Sequence, residues 1–138
     1  MRNPIFFLSF LVLCACSPDS LDDYQKEGQL LCRHLAKELK NIHTREELLK
    51  SELSIKKKFD QLVELILEAR QYQIKHPDEY ATTSEEQSPF SEELLFELKR
   101  LYAHIEGGRE IIERAQKEAL IRLDGFEKKL EKQKKKLR

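Results

Sequence analysis

Tryptophan is missing from this 138-residue chain, and glycine and proline occur only four times each. So few turn formers do not suit the many reversals of a β-sandwich or barrel. With 36% charged residues the chain instead has the profile of long helices or coiled coil. An excess of one charge is also lacking: 25 basic and 25 acidic side chains cancel, so no global field steers the molecule. No apolar run approaches the roughly twenty residues a helix needs to cross a bilayer core. The run at 5–13 has about half that length.

Patterns that carry chemistry are scarce as well. None of His34, His43, His76 and His104 has a glutamate three residues before it, so the Glu-x-x-His pairs of di-iron bundles are absent, as is a His-Glu-x-x-His zinc motif. His34 and Glu38 share a helix face at i,i+4, a pairing expected by chance in a chain so rich in glutamate. Glu106, Glu110 and Glu113 cluster around Gly107-Gly108, but carboxylates without a cleft form a solvated face, and the glycine pair lacks the spacing that wraps a phosphate. No G-x-S-x-G nucleophile motif occurs. The expectation is a protein without catalytic residues, metal, cofactor or small-molecule substrate.

What is there begins with the leader. Arg2 precedes the apolar run, and the run closes on Leu13-Cys14-Ala15-Cys16, the order of charge, apolar stretch and small residues of a secretory signal. Leu13-Cys14-Ala15-Cys16 resembles the lipobox of bacterial lipoproteins, in which a large aliphatic residue stands three places before the modified cysteine and a small one directly before it. The resemblance implies a signal peptide at 1–15, a lipid on Cys16, a tether at 16–19, and anchoring by two or more acyl chains, which is effectively stable. Ordinary cleavage after Ala15 is the alternative and would leave a soluble exported protein. The resemblance covers the signal alone, and inner against outer membrane stays unassigned. Beyond position 15 the chain has a net charge near −1 and the size of one domain. Cys32 would then be the one free thiol, packed as a small apolar residue or available for an intermolecular disulfide.

The remainder reads as an all-α, antiparallel three-helix bundle or long helical hairpin with coiled-coil-like packing, at about 20–41, 44–76 and 89–136. Ser20 followed by Asp22 and Asp23 makes a helix start. Leu21, Tyr24, Gly28, Leu31, Leu35, Leu39 and Ile42 recur at helical spacing behind it. Thr44-Arg45-Glu46-Glu47 is a capping box. A second stripe follows through Leu48, Ile55, Phe59, Leu62, Val63, Ile66, Leu67, Arg70 and Ile74, and Pro77 ends it. Residues 77–88 form an acidic loop, and Ser88-Pro89 opens the third helix.

In that third helix, Leu94, Leu98, Leu101, Ile105, Gly108, Ile112, Ala115, Ala119, Leu123, Phe126 and Leu130 hold one phase through Gly107-Gly108. The unbroken phase favours one continuous or gently kinked helix. The competing reading is a fourth helix from Arg109, because two glycines each cost about 1 kcal/mol inside a helix. A continuous helix would be near 70 Å long, with an apolar stripe overhanging its shorter neighbours. Ile105, Ile112, Ala115, Ala119 and Phe126 are then the candidate partner-binding residues, facing another helical protein or a second copy of this chain. Residues 127–138 hold seven basic and two acidic side chains. Lys128, Lys129, Lys132, Lys134, Lys135, Lys136 and Arg138 are therefore candidates for an anionic surface, or else a solvated end that complements the helix dipole. Nucleic acid is not expected, since no aromatic residues interleave the lysines. The function these features imply is that of a membrane-anchored lipoprotein making non-catalytic protein contacts or serving the envelope structurally. The alternative is a surface-binding module that grips anionic polymer or lipid head groups.

Overall fold

The computed structural model of the chain describes residues 18–79 and 89–138. The expected signal, Cys16 and most of the acidic connection therefore lie outside the described residues. Among them are four helices and no strand: α1 (Leu21–Lys40), α2 (Arg45–Lys75), α3 (Pro89–His104) and α4 (Gly108–Lys136).

Local chemistry sets the ends of the first hairpin. The Ser20 hydroxyl accepts from the Asp23 N–H at 3.2 Å, and Asp22 and Asp23 supply the negative charge that the helix dipole favours. Asn41 closes α1, and Thr44 then begins α2 with a complete capping box: Thr44 Oγ1 accepts from Glu47 N at 3.2 Å. In return Glu47 Oε2 accepts from the N–H groups of His43 (2.7 Å) and Thr44 (3.3 Å). His76, just before Pro77, caps the far end of α2.

The second hairpin corrects the three-helix expectation. Helix 89–136 is not continuous: Gly107 has φ +67°, and Gly108 N donates to Ile105 O at 2.9 Å across a turn over residues 105–108. No described non-glycine residue has positive φ, so the left-handed conformation stands at the third turn position alone, as in a type II turn. The chain reverses there. Neighbouring contacts give each helix its direction. Ser91 meets Cys32, and Arg100 meets Leu39 and Ile42, so α3 runs parallel to α1. Along the other side, Glu52 pairs with Arg114, Lys56 with Glu118, Glu64 with Arg122 and Arg70 with Glu127, so α4 runs parallel to α2. Helix α1 touches α2 and α3, and α4 touches α2 and α3, which makes a four-cornered ring with α1 and α4 on one diagonal.

Both turns lie at one pole, and the core is densest there. Leu35, Leu39, Leu48, Ile55, Leu101 and Ile112 are fully buried, with Ile105, Ile111 and Ala115 beside them. Toward the opposite, open pole α1 is only half covered, at Leu21, Tyr24, Gly28 and Leu31. A Cβ at Gly28 would reach the Leu65 side chain, at Cδ2, at an ordinary 3.5 Å. Gly125 lies inside α4 with open space around it. Alanine at 125 should therefore stabilise the bundle by about 1 kcal/mol, raising the melting temperature by about 4 °C. A thermal melt showing no gain would contradict that assignment.

Candidate functional site

Two arginines join the hairpins at the turn pole. Arg45, in the first turn of α2, donates from Nη1 to the Glu106 carbonyl at 2.8 Å, reaching the backbone of the α3–α4 turn. Arg100, near the end of α3, donates from Nη2 to Leu39 O at 2.8 Å and from Nη1 to Ile42 O at 3.0 Å, capping the end of α1. Its Nε donates to Glu97 at 2.7 Å, and that carboxylate is buried, at 5% exposure. Each hairpin thus satisfies carbonyls at the other's turn. Arg109 lies 5.4 Å from the centre of the Tyr102 ring, tying α3 to the first turn of α4.

The ion pairs along α2 and α4 form a ladder of mixed polarity. Lys56 Nζ donates to Glu118 at 2.7 Å and Arg114 Nη2 to Glu52 at 2.8 Å, with the Arg122–Glu64 pair following and Arg70–Glu127 at 3.8 Å. Exposed pairs contribute little individually, but alternating sign disfavours a shifted register. The Arg114 hydrogen bond holds the Glu52 carboxyl below the usual carboxylate range, and Lys56 does the same for Glu118. The backbone N–H groups of His43, then Thr44, lower Glu47. A carboxyl depressed in the folded state contributes stability above its unfolded pKa, and that contribution is lost as pH falls through the folded value. The melting temperature should accordingly be nearly flat through neutrality and drop below about pH 4. A melt unchanged down to about pH 2 would exclude this linkage.

The open pole gathers different residues. Tyr72, near the end of α2, places its hydroxyl 2.8 Å from Asp19 O and 2.9 Å from the Glu79 carboxylate, with Tyr24 and His76 against its ring at 5.7 and 4.2 Å. Burial, then Glu79, raises the Tyr72 hydroxyl above its ordinary value. These contacts fasten the segment before α1 to the end of α2. A groove of about 380 Å³ between α1 and α2 is lined by Tyr24, Gly28, Leu62, Leu65 and Ile66. A second, of about 430 Å³, lies between α2 and α4, lined by Arg70, Gln73, Ile74, Leu130, Gln133, Lys134 and Leu137.

Of the candidate partner-binding residues, Ile105, Ile112, Ala115 and Ala119 are buried inside the chain and Phe126 is half-buried. The overhanging stripe was a consequence of the continuous helix. Once the chain reverses, that stripe lies in the bundle's own interior. The large apolar side chains left open on α3 and α4 are Leu95, Phe96, Leu120 and Ile121. Lys128, Lys129, Lys132, Lys134, Lys135, Lys136 and Arg138 are all exposed, and Lys128 pairs with Asp124 at 2.8 Å. Cys32 is half-buried; burial raises its thiol, offset in part by a hydrogen bond with the Ser91 hydroxyl. Among the described residues no histidine, cysteine and carboxylate group is arranged to hold a metal, and no helix is long and apolar enough to cross a membrane.

No family model, curated protein or solved structure matches this chain. Arg45 and Arg100 escaped the sequence reading because each bond joins residues about sixty positions apart, with no local pattern to mark it.

Proposed function

We propose that the chain is an exported protein held to a bacterial membrane by acyl chains on Cys16, working there as a non-catalytic contact or envelope-structural component. The observation that carries this reading is Leu13-Cys14-Ala15-Cys16 at the end of a short apolar run. A helical bundle with a charge ladder between α2 and α4 and open apolar side chains on α3 and α4 suits work by contact. The partner is another helical protein or a second copy of this chain. Its docking residues on α3 and α4 would include Phe96 and Ile121, which are 65% and 60% exposed.

Mass spectrometry of the membrane-extracted chain tests the anchor: a diacylglyceryl-modified Cys16 at the new amino end is expected. An unmodified thiol there, or an uncut leader, would end this proposal. Photoreactive residues at Phe96 and Ile121, used one at a time in living cells, should then capture one discrete partner or a dimer. No adduct from either site would move the contact off these two helices.

The exposed basic end of α4 favours a second reading, that of a module whose affinity is electrostatic and falls with salt.

A further inference from the structure

The reversal at Gly107 brings to one pole two features that a three-helix path would hold at opposite ends. Asp19 sits beside Tyr72, three residues before the end of α2. At the same level α4 passes with Glu127 against Arg70, and Leu130, Lys134 and Leu137 against Ile74. Cys16 is three residues upstream of Asp19, a span of about 10 Å when extended. An anchor there would put the basic end of α4 next to the bilayer that holds it.

The geometry points to a second, electrostatic membrane contact: the end of α4 binds the anionic head groups of the same membrane that carries the Cys16 lipid. This rests on the lipid-anchor reading and extends it. Seven basic and two acidic side chains occupy residues 127–138, and Lys128 alone of the seven has an ion-pair partner among the described residues. Leu137 is 89% exposed and Ile74 58%, and both border the groove that Lys134 also lines. Apolar side chains beside flexible cations suit a lipid interface, where the former enter the acyl boundary and the latter reach phosphate. A purely polar anionic polymer gives those apolar side chains nothing to enter. Of the acidic groups near this pole, Asp19, Asp22 and Asp23 belong to the start of α1 and Asp78 and Glu79 to the segment after α2, while Glu127 and Glu131 lie on α4 itself, with Glu127 paired to Arg70. Helix α1 stands diagonally across from α4, so the carboxylates at the start of α1 are set apart from the basic end of α4.

The test uses the full chain, expressed in and extracted from a bacterial membrane, on phosphatidylcholine vesicles with and without phosphatidylglycerol. Flotation with phosphatidylcholine alone reports the lipid anchor. Cleavage of residues 129–138 by a protease of broad specificity, read by mass spectrometry, reports the second contact. Cleavage should slow about tenfold or more when phosphatidylglycerol is present, and the protection should vanish near 1 M salt, where the Debye length is about 3 Å. Replacing Lys134, Lys135 and Lys136 together by glutamine should weaken head-group binding by about a hundredfold. Leu137→Ser should weaken it without changing its salt dependence. These side chains are exposed, so unaltered thermal melts would confirm that the variants keep their fold.

Equal cleavage rates on both kinds of vesicle would overturn the proposal. So would clustering of vesicles in light scattering, which would put α4 on an opposing bilayer. Failure to float with phosphatidylcholine alone would instead remove the anchor. Flotation confined to phosphatidylglycerol would then preserve the head-group contact without it.

Discussion

Alanine at position 108 should lower the stability of the bundle by about 3 kcal/mol, read as a shift in the chemical denaturation midpoint. A Cβ at Gly108 would stand 2.3 Å from the carbonyl oxygen of Leu101 and 3.1 Å from its carbonyl carbon. No rotamer relieves that overlap, because the obstacle is backbone. Leu101 O also accepts from Ile105 N at 3.1 Å in the last turn before the reversal, and the Leu101 side chain is fully buried. Gly107→Ala should cost less, about 1 to 2 kcal/mol from the left-handed conformation. Its Cβ would lie 2.1 Å from Arg45 Nη1, which can swing away at the expense of its bond to Glu106 O. With Gly125→Ala stabilising, the three substitutions should rank 125, 107, 108 from gain to greatest loss. A continuous helix through 107 and 108 would make all three stabilising, so this ordering discriminates between the two chain paths. Gly108→Ala with unchanged stability would refute the reversal.

The failure at Gly107 is instructive because the apolar spacing was real. Leu101 lies in the last turn of α3, Ile105 opens the reversal, Ile112 and Ala115 lie early in α4, and all four face the same core. A reversal of three residues between helices that share a core can keep the phase, so phase alone does not prove continuity. The opposing signal is the paired glycine, which costs about 1 kcal/mol per residue inside a helix. Elsewhere the local signals held. Ser20, the Thr44 capping box, Pro77 and Pro89 mark ends that side-chain hydrogen bonds or proline sterics set within a few residues. Most of the α1 stripe is buried or half-buried as read, whereas Ile66 and Ile74 of α2 are exposed and Leu65 is buried in the core. Helix α2 meets α1 on one side and α4 on another, so a single stripe could not describe it. The basic end of α4 was legible as composition; its nearness to the start of α1 was not, because that depends on how many times the chain turns.

Arg100→Ala should be the most damaging substitution of a polar residue, costing about 3 to 4 kcal/mol. The guanidinium serves three acceptors at once, Glu97 Oε2, Leu39 O and Ile42 O, within 3.0 Å. Truncation leaves a buried carboxylate without its counter-charge and removes a donor from Ile42 O and from Leu39 O, which keeps the Ile42 N–H at 3.0 Å, at a helix end where the dipole also favours a cation. Arg100→Lys should recover only part of the loss, because a single ammonium does not reproduce the forked geometry that spans α3 and α1. The informative comparison is the double variant Glu97→Leu with Arg100→Met. If the damage in Arg100→Ala comes from the stranded carboxylate, removing both charges should restore most of the stability, leaving a deficit of about 1 kcal/mol for the lost guanidinium–carbonyl hydrogen bonds. If the double variant is as unstable as Arg100→Ala, the carbonyl caps dominate, and the joining of the two hairpins depends on the guanidinium bonds to α1 more than on its pair with Glu97.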